Sequence, residues 1–298
     1  MGKTVHVHDF RKRDASLYDY RKIDSIGEGA VSLYAPAKLN ITLSIGEKGK
    51  GGMHEISSVM QTISLSDHVL FSLVRKGCSD VRYHLPAEDG QGWKPAAISN
   101  DTVSNALRQL SRLVGRDLPC IVDIFKLIPM AAGMGGGSSD ASAALRAADH
   151  VFGLKLGPGR LQKIAERIGN DVSFLLYGGR SAVNGGKKHT ILQMPDPGLY
   201  YAIASPRVKL STRKMYALHD KTKKGFTELA SELCPETAEL LGIVKNSAEE
   251  AGVTGKGPTV FGGYKDISKC EEAALEMSAL LRGKGEVFIE TGTGAFIY

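Results

Sequence analysis

The sequence predicts an α+β protein built in two layers, and three observations carry that prediction. Segments with strand-like character follow one another between Val31 and Val74, so strands pair with strands before any helix intervenes. A strand, a glycine-rich loop and a helix then run in succession from Cys120 to Phe152. Glycines and prolines cluster between residues 185 and 198 (Gly185, Gly186, Pro195, Pro197, Gly198), marking a hinge before a second set of strands and helices. Strands grouped first, with β-α-β later, describe α+β and not a repeating α/β fold. The expected domains are 29–185 and 186–298, preceded by an extension over 1–28.

In the extension, Arg11, Lys12 and Arg13 mix with Asp9, Asp14, Asp19 and Asp24 without periodicity. An extra strand, a loose arm and a targeting relic all fit, although the acidic residues argue against a transit peptide. Ser32–Ala35 and Leu39–Ile45 read as strands on either side of Pro36. A polar turn from Gly46 to Gly52 leads to Met53–Ile63, and Asp67–Val74 is the next strand. Residues 77–98, with Pro86, Gly90, Gly92 and Pro95, read as an irregular excursion. Asn100 or Asp101 then caps a helix whose Val103, Ala106, Leu107, Leu110 and Val114 share one face, closed by Gly115. Cys120–Lys126 alternates as a strand. Beyond the glycines, Ala141, Ala144, Leu145, Ala148 and Phe152 line one helical face, with Arg146, Asp149 and His150 on the other. Ser138 or Ser139 is the expected N-cap and Gly153 the stop.

Pro158 and Gly159 open another helix, with Leu161, Ile164, Ala165 and Ile168 in register and Gly169 ending it ahead of Asn170–Tyr177. The second half predicts a strand over Leu199–Ser205, a polar loop over Lys209–Lys224 and helical patterns around 226–250. A glycine turn and strand over Gly252–Tyr264, a helix over Ser268–Leu281 and a strand over Glu286–Thr291 complete it.

The chemistry concentrates in the loop. Gly133, Gly135, Gly136 and Gly137 let the backbone approach a ligand without Cβ clashes. The free N–H groups of the following helical turn, with the helix dipole behind them, favour an anion. Ser138 and Ser139 add hydroxyl donors, and Asp140 offers oxygen to a hard cation. The pattern is neither a P-loop nor a dinucleotide fingerprint. It reads as a phosphate cradle of another kind, with a flexible loop before a small-residue helix as the bland alternative.

Composition bounds the rest. With 42% hydrophobic and 23% charged residues, the chain is ordinary for one large or two medium globular domains. Its net charge of +6 is spread along the sequence and not interleaved with aromatics, which argues against nucleic-acid binding and suits a polyanionic small substrate. Cys78, Cys120, Cys234 and Cys270 form no C-x-x-C and read as reduced thiols of a cytoplasmic protein without a zinc site. No apolar run is long enough to span a membrane.

Three stretches in order, Ala35–Asn40 (APAKLN), Pro129–Ala141 (PMAAGMGGGSSDA) and Val253–Phe261 (VTGKGPTVF), resemble the GHMP kinase superfamily. The Pro-Ala-Lys-Leu-Asn run, Gly52–Glu55 and Ile168–Phe174 are most similar to the branch that phosphorylates 4-diphosphocytidyl-2-C-methyl-D-erythritol in non-mevalonate isoprenoid synthesis. The resemblance implies an N-terminal ribosomal-protein-like domain, a C-terminal ferredoxin-like domain and a site between them. It implies ATP and Mg2+ as cofactors, with phosphates on Pro129 and on Gly133 to Ser139, Asp140 beside them and Ser139 reaching the metal. Asp171 matches the catalytic aspartate and Lys38 the lysine beside it. Asn40, His54, Thr212 and Tyr216 match substrate contacts, and Gly255, Lys256 and Gly257 form the third-motif loop. A small-molecule acceptor and a monomer or homodimer complete the expectation.

The bland readings are a capping role for Asp171 and a snorkelling surface lysine for Lys38. The chain departs from the family at Met53, where tyrosine is usual, and at Lys256, where serine or threonine is usual and an added cation would sit near the phosphates. Thr291–Ala295 also resembles the third motif, but a helix and a final strand follow Gly252–Phe261 as the family order requires. The remaining functional readings are a GHMP kinase for another alcohol (mevalonate, phosphomevalonate, a sugar or homoserine) and a non-catalytic nucleotide-binding protein.

Overall fold

The computed structural model describes residues 7–9, 23–49, 54–87, 92–98, 101–185 and 190–296. The first part of the chain runs β1 (Val7–Asp9), β2 (Asp24–Gly27), β3 (Ala30–Lys48), β4 (His54–Leu73), β5 (Asp80–Pro86), β6 (Trp93–Ala96), α1 (Thr102–Val114) and β7 (Cys120–Phe125). It continues with α2 (Gly136–Val151), α3 (Gly157–Ile168), α4 (Asn170–Tyr177), β8 (Arg180–Gly185) and β9 (Thr190–Met194). The second part runs β10 (Tyr200–Pro206), α5 (Thr212–Thr222), α6 (Phe226–Leu233), α7 (Pro235–Val244), β11 (Glu250–Val253), β12 (Val260–Tyr264), α8 (Ile267–Leu281) and β13 (Gly285–Thr291).

Among the described residues the first sheet has eight strands, in the order β2-β3-β4-β7-β5-β6, with β8 branching from β4 and β9 pairing with β8. The short strands expected around Pro36 and again up to Val74 are in fact two long ones, because β3 pairs with β4 along nearly its whole length. Register shifts between Pro36 and Lys38 and between Asn40 and Thr42 bend β3 without ending it. Such a bulge accommodates a proline, which has no N–H for the ladder. The 77–98 excursion contains the β5–β6 hairpin.

Helix α1 starts at Asp101, whose carboxylate accepts from the Val103 and Ser104 amides, and ends at Gly115 with φ 69°. Its buried Val103, Ala106, Leu107 and Leu110 join Leu33, Val69, Phe71, Val122 and Ile124 of the sheet and the alanine face of α2 in one core.

The second sheet carries β13-β10-β12-β11, with α5 to α7 between β10 and β11 and α8 between β12 and β13. This is the βαββαβ order of a ferredoxin-like domain. β1, from the N-terminal extension, adds a fifth strand parallel to β13 and so covers that edge, while β2 extends the first sheet. The extension is thus divided between the two sheets. β9 pairs with β8, so the first sheet reaches Met194, past the expected boundary at 185.

The face of the second sheet away from α7 and α8 is not free. Tyr201, Ile203, Phe261 and Phe288 pack there against Ala37, Leu39, Ile63, Leu65 and Met134 of the first domain. Burying one such large side chain is worth ~1.5–3 kcal/mol, so this shared core fixes the cleft between the domains. Arg180 of β8 adds a two-pronged bond to Glu250 of β11, at 2.5 and 3.2 Å.

Candidate active site

The cleft between the sheets encloses about 220 Å3 and is lined on one side by Lys38, Gly133, Gly135, Asn170 and Asp171, and on the other by Thr212, Tyr216, Gly255 and Lys256. Leu43, Ile56, Met60 and Phe226 supply an apolar wall.

The glycine loop leads from β7 into α2, as the sequence requires. Its cap differs from the expectation: Gly135, at φ 73°, occupies the N-cap with no side-chain bond. Ser139 instead donates its hydroxyl to the Pro36 carbonyl at 2.7 Å and is buried. The amides of Gly136, Gly137 and Ser138 therefore open the helix without a side-chain cap, which leaves them available to an anion. Gly133, at φ 85°, is required by contact as well as by conformation, since a Cβ there would lie 2.3 Å from the Thr254 carbonyl oxygen.

Beneath the loop, buried Lys126 bridges Asp67 and Asp140, the latter at 2.6 Å. Burial alone would lower the lysine, but Asp140 and Asp67 outweigh it and hold it charged above its ordinary range. Burial pushes the Asp140 carboxyl up to about 8 against the pull of Lys126, with Asp67 adding to the rise. Asp67 also accepts from the Leu127 and Ile128 amides, at 2.6 and 2.9 Å, and so fixes the entry to the loop. Asp140 is buried against Lys126, and Ser139 is buried with its hydroxyl on Pro36, so neither is among the residues lining the cleft. Arg146, expected on the solvent face of α2, is buried with its guanidinium 4.3 Å from the Phe296 ring centroid.

Lys38 is no surface lysine. The β3 bulge turns it inward, where its amide bonds to Met134 O at 3.0 Å and its ammonium donates to Gly133 O at 2.9 Å and to Asn40 Oδ1. Asp171, in the first turn of α4, lies 3.7 Å from the Lys38 ammonium and is 37% exposed toward the cleft against 3% for the lysine. Burial lowers the Lys38 pKa, and Asp171 opposes that fall. Asn40 is buried and holds Lys38; its own amide donates to Ser58 Oγ at 2.8 Å.

Across the cleft, residues expected as a polar loop form α5, capped by Ser211 and carrying Thr212 and Tyr216. Only Met215 of that helix is fully buried, so the segment has no apolar stripe to reveal it. The Tyr216 ring stacks on His54 at 5.2 Å and meets Phe226 edge-on at 5.0 Å. His54 does not line the cleft; its Nδ1 lies 2.9 Å from Gly46 O and its Nε2 2.9 Å from Asp220 Oδ1. Gly52 and Met53 lie outside the described residues.

The expected glycine turn and strand over Gly252–Tyr264 form a hairpin with β11, and the turn between β11 and β12 is the third-motif loop. It seats on the glycine loop, with Thr254 Oγ1 3.3 Å from Gly133 O. Lys256 lines the cleft, and its ammonium donates to the Leu210 carbonyl. Thr291–Ala295 lies elsewhere, where Gly178 pairs with Ala295 and Thr293 bonds to Thr62. Asn170, Phe226, Lys126 and Asp67 were not singled out from sequence; Lys126 and Asp67 meet from positions 59 residues apart.

The chain matches the GHMP kinases N terminal domain over residues 101–179. It is 32% identical over 273 residues to a 4-diphosphocytidyl-2-C-methyl-D-erythritol kinase of Listeria welshimeri, covering 81% of this chain and 90% of that protein. It is 30% identical over 291 residues to the enzyme of that name from Pelotomaculum thermopropionicum, covering 88% and 98%. Among solved structures, a 4-(cytidine 5'-diphospho)-2C-methyl-D-erythritol kinase superposes with TM-score 0.67 at 22% identity over 88% of this chain and 99% of the other. A homoserine kinase from Cytophaga hutchinsonii superposes with TM-score 0.69 at 16% identity over 92% and 97%, which shows that the fold is shared across acceptors. The identity over most of both chains decides the branch: this chain belongs to the GHMP kinases, in the 4-diphosphocytidyl-2-C-methyl-D-erythritol kinase family.

Proposed function

We propose that the chain transfers the γ-phosphoryl group of ATP to the 2-hydroxyl of 4-diphosphocytidyl-2-C-methyl-D-erythritol. The observation that carries this reading is the Lys38–Asp171 pair, 3.7 Å apart in a cleft whose two sides are the glycine loop and the Tyr216 helix. Phosphoryl transfer asks for positioning and charge neutralisation more than for covalent chemistry. The helix α2 N-terminus takes the phosphates, Lys38 neutralises charge at the loop, and Asp171 orients the acceptor hydroxyl and accepts its proton as the O–P bond forms and ADP departs. Thr212 and Tyr216 hold the acceptor, the ring offering a face to a nucleobase.

Magnesium belongs to this proposal as the companion of the ATP phosphates. Among the described residues no cluster of His, Cys, Asp or Glu is built to hold a metal, and Ser139 and Asp140 are committed elsewhere. Among the described residues no helix is long and apolar enough to cross a membrane. A cytoplasmic setting and a monomeric or dimeric state are part of the same proposal.

The test is ADP release with Mg-ATP against a panel of the cytidyl methylerythritol compound, mevalonate, phosphomevalonate and homoserine. Turnover confined to the cytidyl compound supports the proposal. Turnover on another acceptor, with none on the cytidyl compound, overturns it.

A further inference from the structure

We infer that Lys256 is a positioning residue that ties the acceptor-holding helix α5 to the phosphate loop. The lysine sits at the tip of the β11–β12 turn, where the family usually has a short hydroxyl side chain, and lines the same cleft as Lys38 and Asp171. Its stem is half-buried, and its ammonium reaches back to the carbonyl of Leu210, 46 residues upstream. Leu210 is itself buried and immediately precedes Ser211, the N-cap of α5. The bond therefore grips the chain one residue before the N-cap of the helix that presents Thr212 and Tyr216.

The other end of this connection is equally fixed. Thr254 Oγ1 receives the Asn40 amide at 3.0 Å and faces Gly133 O at 3.3 Å, while a Cβ on Gly255 would come within 3.0 Å of that same carbonyl. At Gly257 a Cβ would meet Ala230 at 2.9 Å and Val253 at 3.0 Å, so the turn is closely packed there. Pro258 O is held by Thr237 Oγ1 at 3.0 Å. One end of the turn thus rests on the loop that cradles phosphate, and Lys256 carries its position to α5. A side chain as short as serine has no reach to span from the turn tip to the Leu210 carbonyl. The first turn of α5 needs such an anchor, because Met215 is its one fully buried residue and Ser211, Thr212, Arg213 and Lys214 are exposed. Helix ends with few buried contacts fray readily.

The kinetic part of this inference rests on the proposed kinase activity; the structural part does not. Lys256→Met keeps the stem and removes the donor, and Lys256→Arg restores a donor. Amide hydrogen exchange, followed by mass spectrometry on the intact proteins, should show peptides covering 211–216 exchanging at least tenfold faster in Lys256→Met, with the 133–140 loop unchanged and Lys256→Arg close to wild type. Kinetically, Lys256→Met should raise the acceptor KM about fivefold to tenfold, a loss of ~1–1.4 kcal/mol of the kind one hydrogen bond contributes, with kcat and the ATP KM held. Unchanged exchange over 211–216 overturns the tether whether or not the protein is a kinase. A fall in kcat at constant acceptor KM overturns it in favour of direct contact with the transferred group. Absence of turnover in wild type would instead refute the proposed activity and leave the exchange result to decide the tether.

Discussion

On the loop side of the cleft the chemistry is carried by backbone and buried charge, whereas on the α5 side it is carried by half-exposed rings and hydroxyls. The loop has little freedom: Gly133 is boxed in by Thr254, Lys38 is bonded to Met134, Gly133 and Asn40, and Lys126 is locked between two buried carboxylates. Helix α5 rests on Met215, its N-cap Ser211 and the Tyr216–Phe226 contact. Polar groups aimed from a rigid frame need no reorganisation when charge develops, so the rigid side suits catalysis. The looser side suits recognition, where contacts can adjust to the acceptor.

The sharpest test of the comparison is at the rigid wall. Asp171→Asn preserves shape and removes the charge beside Lys38, so turnover should fall by roughly 10²–10⁴ while ATP binding is little changed. Single-turnover kinetics alongside nucleotide titration would separate the two quantities. Turnover within a few-fold of wild type would break the assignment of Asp171. Lys126→Met probes the same wall without touching the cleft. It strands Asp67 and Asp140 without their cation, and removing one partner of a buried ion pair costs about 3–5 kcal/mol. A denaturant midpoint no lower than wild type would show that the loop does not lean on this triad.

The two walls also differed in how well they could be read from sequence. The phosphate loop was visible because strand, glycines and helix are contiguous and each has a local physical reason. Gly133 needs a positive φ and α2 needs a bare N-terminus. Lys126 went unread because its partner Asp67 is 59 residues away and nothing local marks the pair. Lys38 and Asp171 could be paired from sequence only through the family resemblance. Helix α5 was missed because its apolar residues run together over Met215–Leu218 instead of recurring at helical spacing, and only Met215 is fully buried, so periodicity had no apolar stripe to find. For Lys256, sequence carries no information on where a long flexible side chain points, and its bond to the Leu210 carbonyl 46 residues away could not be read. Arg146 misled in the same way, since the ring that receives it lies at the far end of the chain.

The mildest test addresses the recognition wall. Tyr216 is half-buried, and burial, with Asp171 adding to the effect, raises its phenol pKa, so the ring stays neutral through the working range. The contacts of Tyr216 are made by its ring, stacked on His54 and edge-on to Phe226, so the expected contribution is the π face. Base–aromatic stacking is worth ~1–3 kcal/mol, so Tyr216→Ala should raise the acceptor KM by about 5- to 150-fold and leave the ATP KM where it was. Tyr216→Phe should behave as wild type on both. The alanine variant also removes the ring that covers His54, exposing an imidazole that now lies between Gly46 and Asp220. If the acceptor KM held while the ATP KM rose, Tyr216 would belong to the nucleotide wall, and the division of labour across the cleft would have to be redrawn.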